Sequence, residues 1–143
     1  MFPELADKLE RFIVAQDENN SYNIAVDELS AGVKTSHWMW WVFPQLRALG
    51  SSERAVFYGI KDRKEARAYI EDPTLQARYE YVTKIALAST THDPVALFGS
   101  VDAKKVQASW TLFEAVADDA TLYTAALAKF FNEQADAKTL KLI

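Results

Sequence analysis

Ser36-His37-Trp38-Met39-Trp40-Trp41-Val42-Phe43-Pro44-Gln45 holds three of the four tryptophans and one of the two histidines of a 143-residue chain. Large rings normally spread through a core, each in its own pocket among aliphatic side chains. Crowded as they are here, they mark either the densest part of the core or the wall of a binding pocket. The apolar run from His37 to Phe43 has no clean period of either helix or strand. We read it as a short helix that Ser36 is able to cap. Pro44 disfavours helical geometry at Phe43 and can itself open a helix, so a kink is expected there, with Gln45 to Leu49 as a second short segment ended by Gly50.

Toward the N-terminus, Leu5, Leu9, Phe12 and Ile13 recur at steps of three and four, which predicts an amphipathic helix from Pro3 to about Asp17. Gln16 falls on the buried edge of that face, where a polar group needs a partner. Asn19-Asn20 is a break. Ser21 is the expected N-cap of a helix running to Ala31, closed by Gly32 in a left-handed conformation, and Val33-Lys34-Thr35 leads into the aromatic segment.

Toward the C-terminus, helix starts are read at Ser51-Ser52-Glu53, at Asp62 with Glu65 three residues on, at Asp72-Pro73 and at Asp93-Pro94. A longer helix from Ser100 or Asp102 carries Val106, Trp110 and Phe113. Asp118-Asp119 ends it and starts the last main helix, with Leu122, Ala126 and Phe130 on its buried face. No stretch alternates long enough for a strand, and no Asn-Gly or Asp-Gly hairpin turn is present. The expected fold is all-α: a single helical domain over residues 1–143, with about seven to eight short and medium helices.

Composition narrows the function. Half of the residues are hydrophobic and 25% are charged, with 16 basic against 20 acidic residues and a net charge of -4. That balance argues against a nucleic-acid partner. There is no cysteine, hence no disulfide, thiol nucleophile or thiolate metal site. No apolar run reaches the roughly 18 residues of a membrane span, and the N-terminus lacks an apolar leader segment, so a cytoplasmic protein is expected. Neither a metal nor a cofactor is expected, because H-E-x-x-H, G-x-S-x-G and phosphate-binding glycine loops are all missing.

His37 is the candidate for acid-base or ligand contact, against the reading of a structural histidine inside the aromatic cluster. His92 reads as a surface residue. Trp38, Trp40, Trp41 and Phe43 either stack on a planar ligand or pack the core. Lys105 and Ser109 are four apart and face the same way on a helix.

The run Lys34-x-Ser36-His37-Trp38-Met39-Trp40-x-x-Phe43-Pro44-Gln45, followed by Leu49-Gly50-x-Ser52, closely resembles the central signature of the domain of unknown function 1810 family of small bacterial proteins. Further matching pieces are Phe12-x-x-Ala15-Gln16, Tyr58-x-Ile60, Glu65-Ala66-x-Ala68-Tyr69-Ile70, Phe98-Gly99-Ser100 and Ser109-x-Thr111-Leu112-Phe113. The resemblance implies a compact, mainly helical domain and no assigned activity. It also singles out Gln16, Lys34, Ser36, His37, Gln45, Lys105 and Thr111, polar residues that a core alone does not demand. Trp41, Ala108 and Trp110 depart from the pattern, standing where Phe, Ser and Met are usual.

Two functions remain. One is a pocket for a small polar or planar metabolite, walled by Trp38 or Trp40 and supplied with polar contacts by Lys34, His37, Gln45 and Lys105, with His37 as general base if a reaction occurs. The other is a protein-interaction module that presents exposed rings.

Overall fold

The computed structural model describes residues 2–143. Among them stand ten α-helical segments and no strand. The first predicted helix is divided. Pro3–Leu5 forms a single 3-10 turn, Asp7 adopts a left-handed conformation with φ 63°, and α1 starts only at Glu10–Asp17. The break points Asp7 at Arg47, with which it forms an ion pair. Periodicity from Leu5 to Ile13 hid this interruption, because one left-handed residue alters direction without altering the spacing of apolar positions.

α2, Ser21–Ala31, ends as expected at Gly32, whose φ of 89° lets its N–H reach the Glu28 and Leu29 carbonyls. Its start differs. Asn20 occupies the cap position in a left-handed conformation without a side-chain cap, and Ser21 is the first helical residue. The Ser21 hydroxyl is thereby free for another partner.

In the aromatic segment only α3, Met39–Val42, is helical, a single turn that ends at Phe43 as the following proline requires. Pro44 does not open a second α-helix. Residues 45–47 are instead held to Ile60 by two hydrogen bonds, Ile60 N–H to the Gln45 carbonyl at 2.9 Å and Arg47 N–H to the Ile60 carbonyl at 2.8 Å. A 3-10 turn, Arg47–Leu49, follows. This crossing requires Gly59: a Cβ there would lie 2.4 Å from the Arg47 Cα.

Four of the later helices start at the side-chain caps expected of them. Ser52 accepts from Ala55 N–H to start α4, Glu53–Tyr58, and Asp62 accepts from Glu65 N–H to start α5, Arg63–Glu71. Asp72 and Asp93 do the same for α6, Pro73–Ala88, and α7, Pro94–Phe98. α8, Ser100–Val116, packs against α5, α7 and α9, Thr121–Phe131, and also meets α10, Ala137–Leu142. The count exceeds the expectation because α3, α7 and α10 are short pieces set off by turns.

The core is aromatic at its centre. Phe43 forms T-shaped pairs with Tyr79, Phe98 and Trp110, with centroids 5.8, 5.7 and 5.9 Å away. Such edge-to-face pairs each add about 0.5–1.5 kcal/mol beyond the area they bury. They anchor the C-terminal end of α3 to α6 and α8, which fixes the position of the residues just before it.

Candidate functional site

The loop from Thr35 to Trp38 brings the polar residues of the central segment beside its rings, and it is tethered on two sides. From α2, the Glu28 Oε1 accepts three hydrogen bonds: from Thr35 N–H at 2.8 Å, Ser36 N–H at 2.9 Å and the Trp38 indole at 2.9 Å. Burial alone would raise the Glu28 carboxyl. The Ser36 hydroxyl and amide, the Thr35 amide and the Trp38 indole together outweigh it and hold the group at about 2, against an ordinary 4.5.

A carboxyl depressed on folding stabilises the protein fully above its unfolded value and loses that contribution as pH falls toward the folded one. Glu28 is partly exposed, and solvent screening limits its share to about 1–2 kcal/mol. Between about pH 6 and pH 2, wild type is expected to lose about that much more unfolding free energy than Glu28→Gln, measured by urea titration. Equal losses would remove Glu28 as the loop's anchor.

The second tether comes from the lysines. Lys34 Nζ donates to the Ser36 carbonyl at 2.6 Å, pairs with Asp102 Oδ2 at 2.7 Å and lies 5.1 Å from the centroid of the Trp38 ring. Lys105 donates to the other Asp102 oxygen at 3.1 Å and sits 4.2 Å over Trp40. Burial would raise the Asp102 carboxyl, but the two ammonium groups hold it below the ordinary carboxylate value. Two predicted site residues thus meet on one carboxylate.

His37, at the crest of the loop, is exposed and borders a cleft of about 360 Å³ between the α1–α2 junction, the loop and α4. Ser21, Ser36, Trp41, Arg54 and Tyr58 line it with His37. The Trp41 indole donates to the Ser21 hydroxyl at 2.7 Å, and the Tyr58 ring lies 5.2 Å from the Trp41 ring at an angle of 58°. The bond that Ser21 makes in place of capping α2 therefore orients the aromatic wall. Asn19 and Asn20, with φ of 53° and 58°, turn the chain so that Ser21 meets the cleft. Asparagine tolerates this conformation better than most residues, for which it costs about 1–2 kcal/mol.

A family model described as a protein of unknown function, DUF1810, matches residues 6–143. The chain belongs to the DUF1810 family. No curated protein matches it. It is also similar to a solved structure, the crystal structure of the conserved hypothetical protein Rv1873 from Mycobacterium tuberculosis. The two are 40% identical, the match covers 94% of this chain and 95% of that one, and the TM-score is 0.90.

In this DUF1810 chain the other polar residues singled out from the sequence lie apart from the cleft. Gln16 is buried, donates to the Trp41 carbonyl at 2.7 Å and accepts from Arg78 at 3.1 Å, which ties α1 to α3 and α6. Thr111 is buried on α8, where it donates to the Gln107 carbonyl and accepts from Asp136 N–H. Gln45 lies at the crossing with Ile60. Trp38 is buried and bonded to Glu28 but still borders the cleft, whereas Trp40 lies under Lys105. The rings share no helical face, because Trp38 precedes α3.

Sequence reasoning passed over Glu28, Asp102, Ser21, Arg54 and Tyr58. Asp102 and Lys105, three apart on one helix, carried a readable pairing signal. Glu28 and Arg54 carried none, since their neighbours come from distant parts of the chain. Among the described residues, no group of three His, Cys, Asp or Glu side chains is arranged to hold a metal ion. Nor is any helix long and apolar enough to cross a membrane.

Proposed function

We propose that the cleft beside His37 binds a small polar or planar metabolite, with Trp41 and Tyr58 as its wall and His37 as its principal polar contact. The supporting observation is a contrast between polar groups. Gln16, Glu28, Lys34, Lys105 and Thr111 all have partners within the protein. Among the described residues, the His37 imidazole has none, and it opens on the cleft. An aromatic face contributes about 1–3 kcal/mol to stacking with a planar ligand. Here the indole is already oriented by Ser21, so little order has to be imposed on binding. An imidazole with no protein partner is also a proton acceptor available to the ligand.

A docking patch of exposed rings has weaker support. Trp38 and Trp110 are buried, and Trp40 and Trp41 are half-buried, one beneath Lys105 and the other bonded to Ser21.

A metabolite panel that includes nucleotides is expected to contain a compound that raises the melting temperature and shifts tryptophan emission. At a hundred times its Kd, such a ligand adds about 2.7 kcal/mol of stability. If no compound moves either signal, the reading falls. His37→Gln should leave the unfolding free energy within about 0.5 kcal/mol and remove the ligand response. A loss above about 1 kcal/mol together with an intact response would make His37 a structural residue instead.

A further inference from the structure

Two opposite charges line the cleft without pairing. Glu18 sits in the turn between α1 and α2, and Arg54 lies in the first turn of α4. Elsewhere this protein engages its arginines: Arg11 with Glu65, Arg47 with Asp7, Arg67 with Glu71 and Asp118, Arg78 with Asp17, and Arg63 with the Ala115 carbonyl. Among the described residues, Arg54 alone of the arginines has no side-chain hydrogen bond or ion pair, and Glu18 has none either. Both charges nevertheless act on one hydroxyl. Burial raises the Tyr58 phenol, the Glu18 carboxylate raises it further and the Arg54 guanidinium lowers it.

An unpaired guanidinium and an unpaired carboxylate bordering one cleft are the complement of a ligand that carries both charges. The guanidinium fork matches a carboxylate in a two-point hydrogen-bonded pair. A carboxylate on the protein suits an ammonium group. A phosphate monoester would instead bring close to two negative charges to a cleft with one arginine and one glutamate, and like charges across a contact oppose binding. Size points the same way. At about 360 Å³ the cleft is at the small end of ligand sites, suited to a molecule with one ring.

We propose that Arg54 and Glu18 select a zwitterionic ligand, an amino acid or close analogue with a single planar ring. Its carboxylate sits on Arg54 beside His37, its ammonium on Glu18 and its ring against Trp41. This rests on the cleft being a small-molecule site.

The test is isothermal titration of the full chain with L-phenylalanine and L-histidine. Alongside run 3-phenylpropanoate, which lacks the ammonium, 2-phenylethylamine, which lacks the carboxylate, nicotinamide as a neutral ring, and uridine monophosphate. One of the amino acids is expected to bind, and both single-charge phenyl compounds are expected to bind at least tenfold more weakly than the better amino acid. Glu18→Gln should narrow the gap for 3-phenylpropanoate only, and Arg54→Gln the gap for 2-phenylethylamine only. Both side chains are exposed and unpartnered, so circular dichroism should show unchanged folds. Tightest binding of uridine monophosphate or nicotinamide, or equal binding of charged and half-charged compounds, overturns the zwitterion and leaves the cleft a binding site. If neither these compounds nor the wider metabolite panel bind, the cleft reading falls with it.

Discussion

Arg11→Met is expected to destabilise the protein by about 3–5 kcal/mol, the range for breaking a buried ion pair from one side. Arg11 is 1% exposed, and each of the five N–H groups of its guanidinium has an acceptor. Nε donates to the Phe57 carbonyl at 2.8 Å. Nη1 donates to the Lys8 carbonyl at 2.6 Å and to Glu65 at 3.1 Å, and Nη2 to the Gly59 carbonyl at 3.0 Å and to Glu65 at 2.9 Å. One side chain thus joins α1, the end of α4 and the start of α5, with the Phe12 ring 4.3 Å beneath it. Methionine fills similar space but leaves the Glu65 carboxylate without its counter-charge and the Phe57 and Gly59 carbonyls without this donor. Chemical denaturation measures the cost. The double variant Arg11→Met, Glu65→Met should recover part of it, because an unpaired buried charge is worse than none. A loss below about 1 kcal/mol for Arg11→Met would mean that water replaces the guanidinium and that the junction is not dry.

Trp110→Ala should cost a similar amount, about 3–5 kcal/mol, for a different reason. Its ring is 0% exposed and lies at the centre of the core. It stacks on Phe130 at 5.8 Å and 24°, and meets Phe43 at 90° and Phe98 at 6.0 Å and 77° in T-shaped pairs. Alanine removes the whole indole from a place where α3, α7, α8 and α9 converge, and none of these helices can close the space without moving the others. The indole N–H also donates to the Thr83 hydroxyl at 3.1 Å. Trp110→Phe should therefore lose less, about 1–2 kcal/mol, mainly through volume and the lost bond to Thr83. Equal losses for Ala and Phe would show that the bond to Thr83, rather than ring packing, sets the contribution of this residue.

Neither effect concerns the cleft, and that separation bears on how the tryptophans divide. Trp110 is core, Trp38 is buried but borders the cleft, Trp41 lines it more openly and Trp40 carries Lys105. The same residue type in the same segment takes different roles because α3 is one turn long. Over a single turn, consecutive rings leave the backbone in different directions toward different neighbours.

Much of the fold was legible along the chain. The all-α class followed from apolar spacing and from the lack of strand or hairpin signals. Asp62, Asp72 and Asp93 cap helices where they were expected to, because a cap is a contact between residues two or three apart. The left-handed closure at Gly32 was equally local. The break at Asp7 and the extended crossing of residues 45–47 over Ile60 were missed, since each depends on a partner far along the chain, Arg47 for the first and Ile60 for the second.

The same division runs through the site. The residue types were present in the sequence: a histidine among tryptophans, two lysines, and glutamines in apolar surroundings. Which of them have protein partners and which stand free is a property of three-dimensional proximity. Lys34 is held because α8 brings Asp102 to it, and Gln16 because α6 brings Arg78. Arg54 and Glu18 border one cleft because two left-handed asparagines redirect the chain between α1 and α2. By itself, then, the sequence determined the helices and the family signature, which rest on contacts between near neighbours. Only the tertiary structure decided which polar groups remain open to a ligand, because a hydrogen bond between residues 62 or 68 positions apart leaves no periodic trace in the sequence.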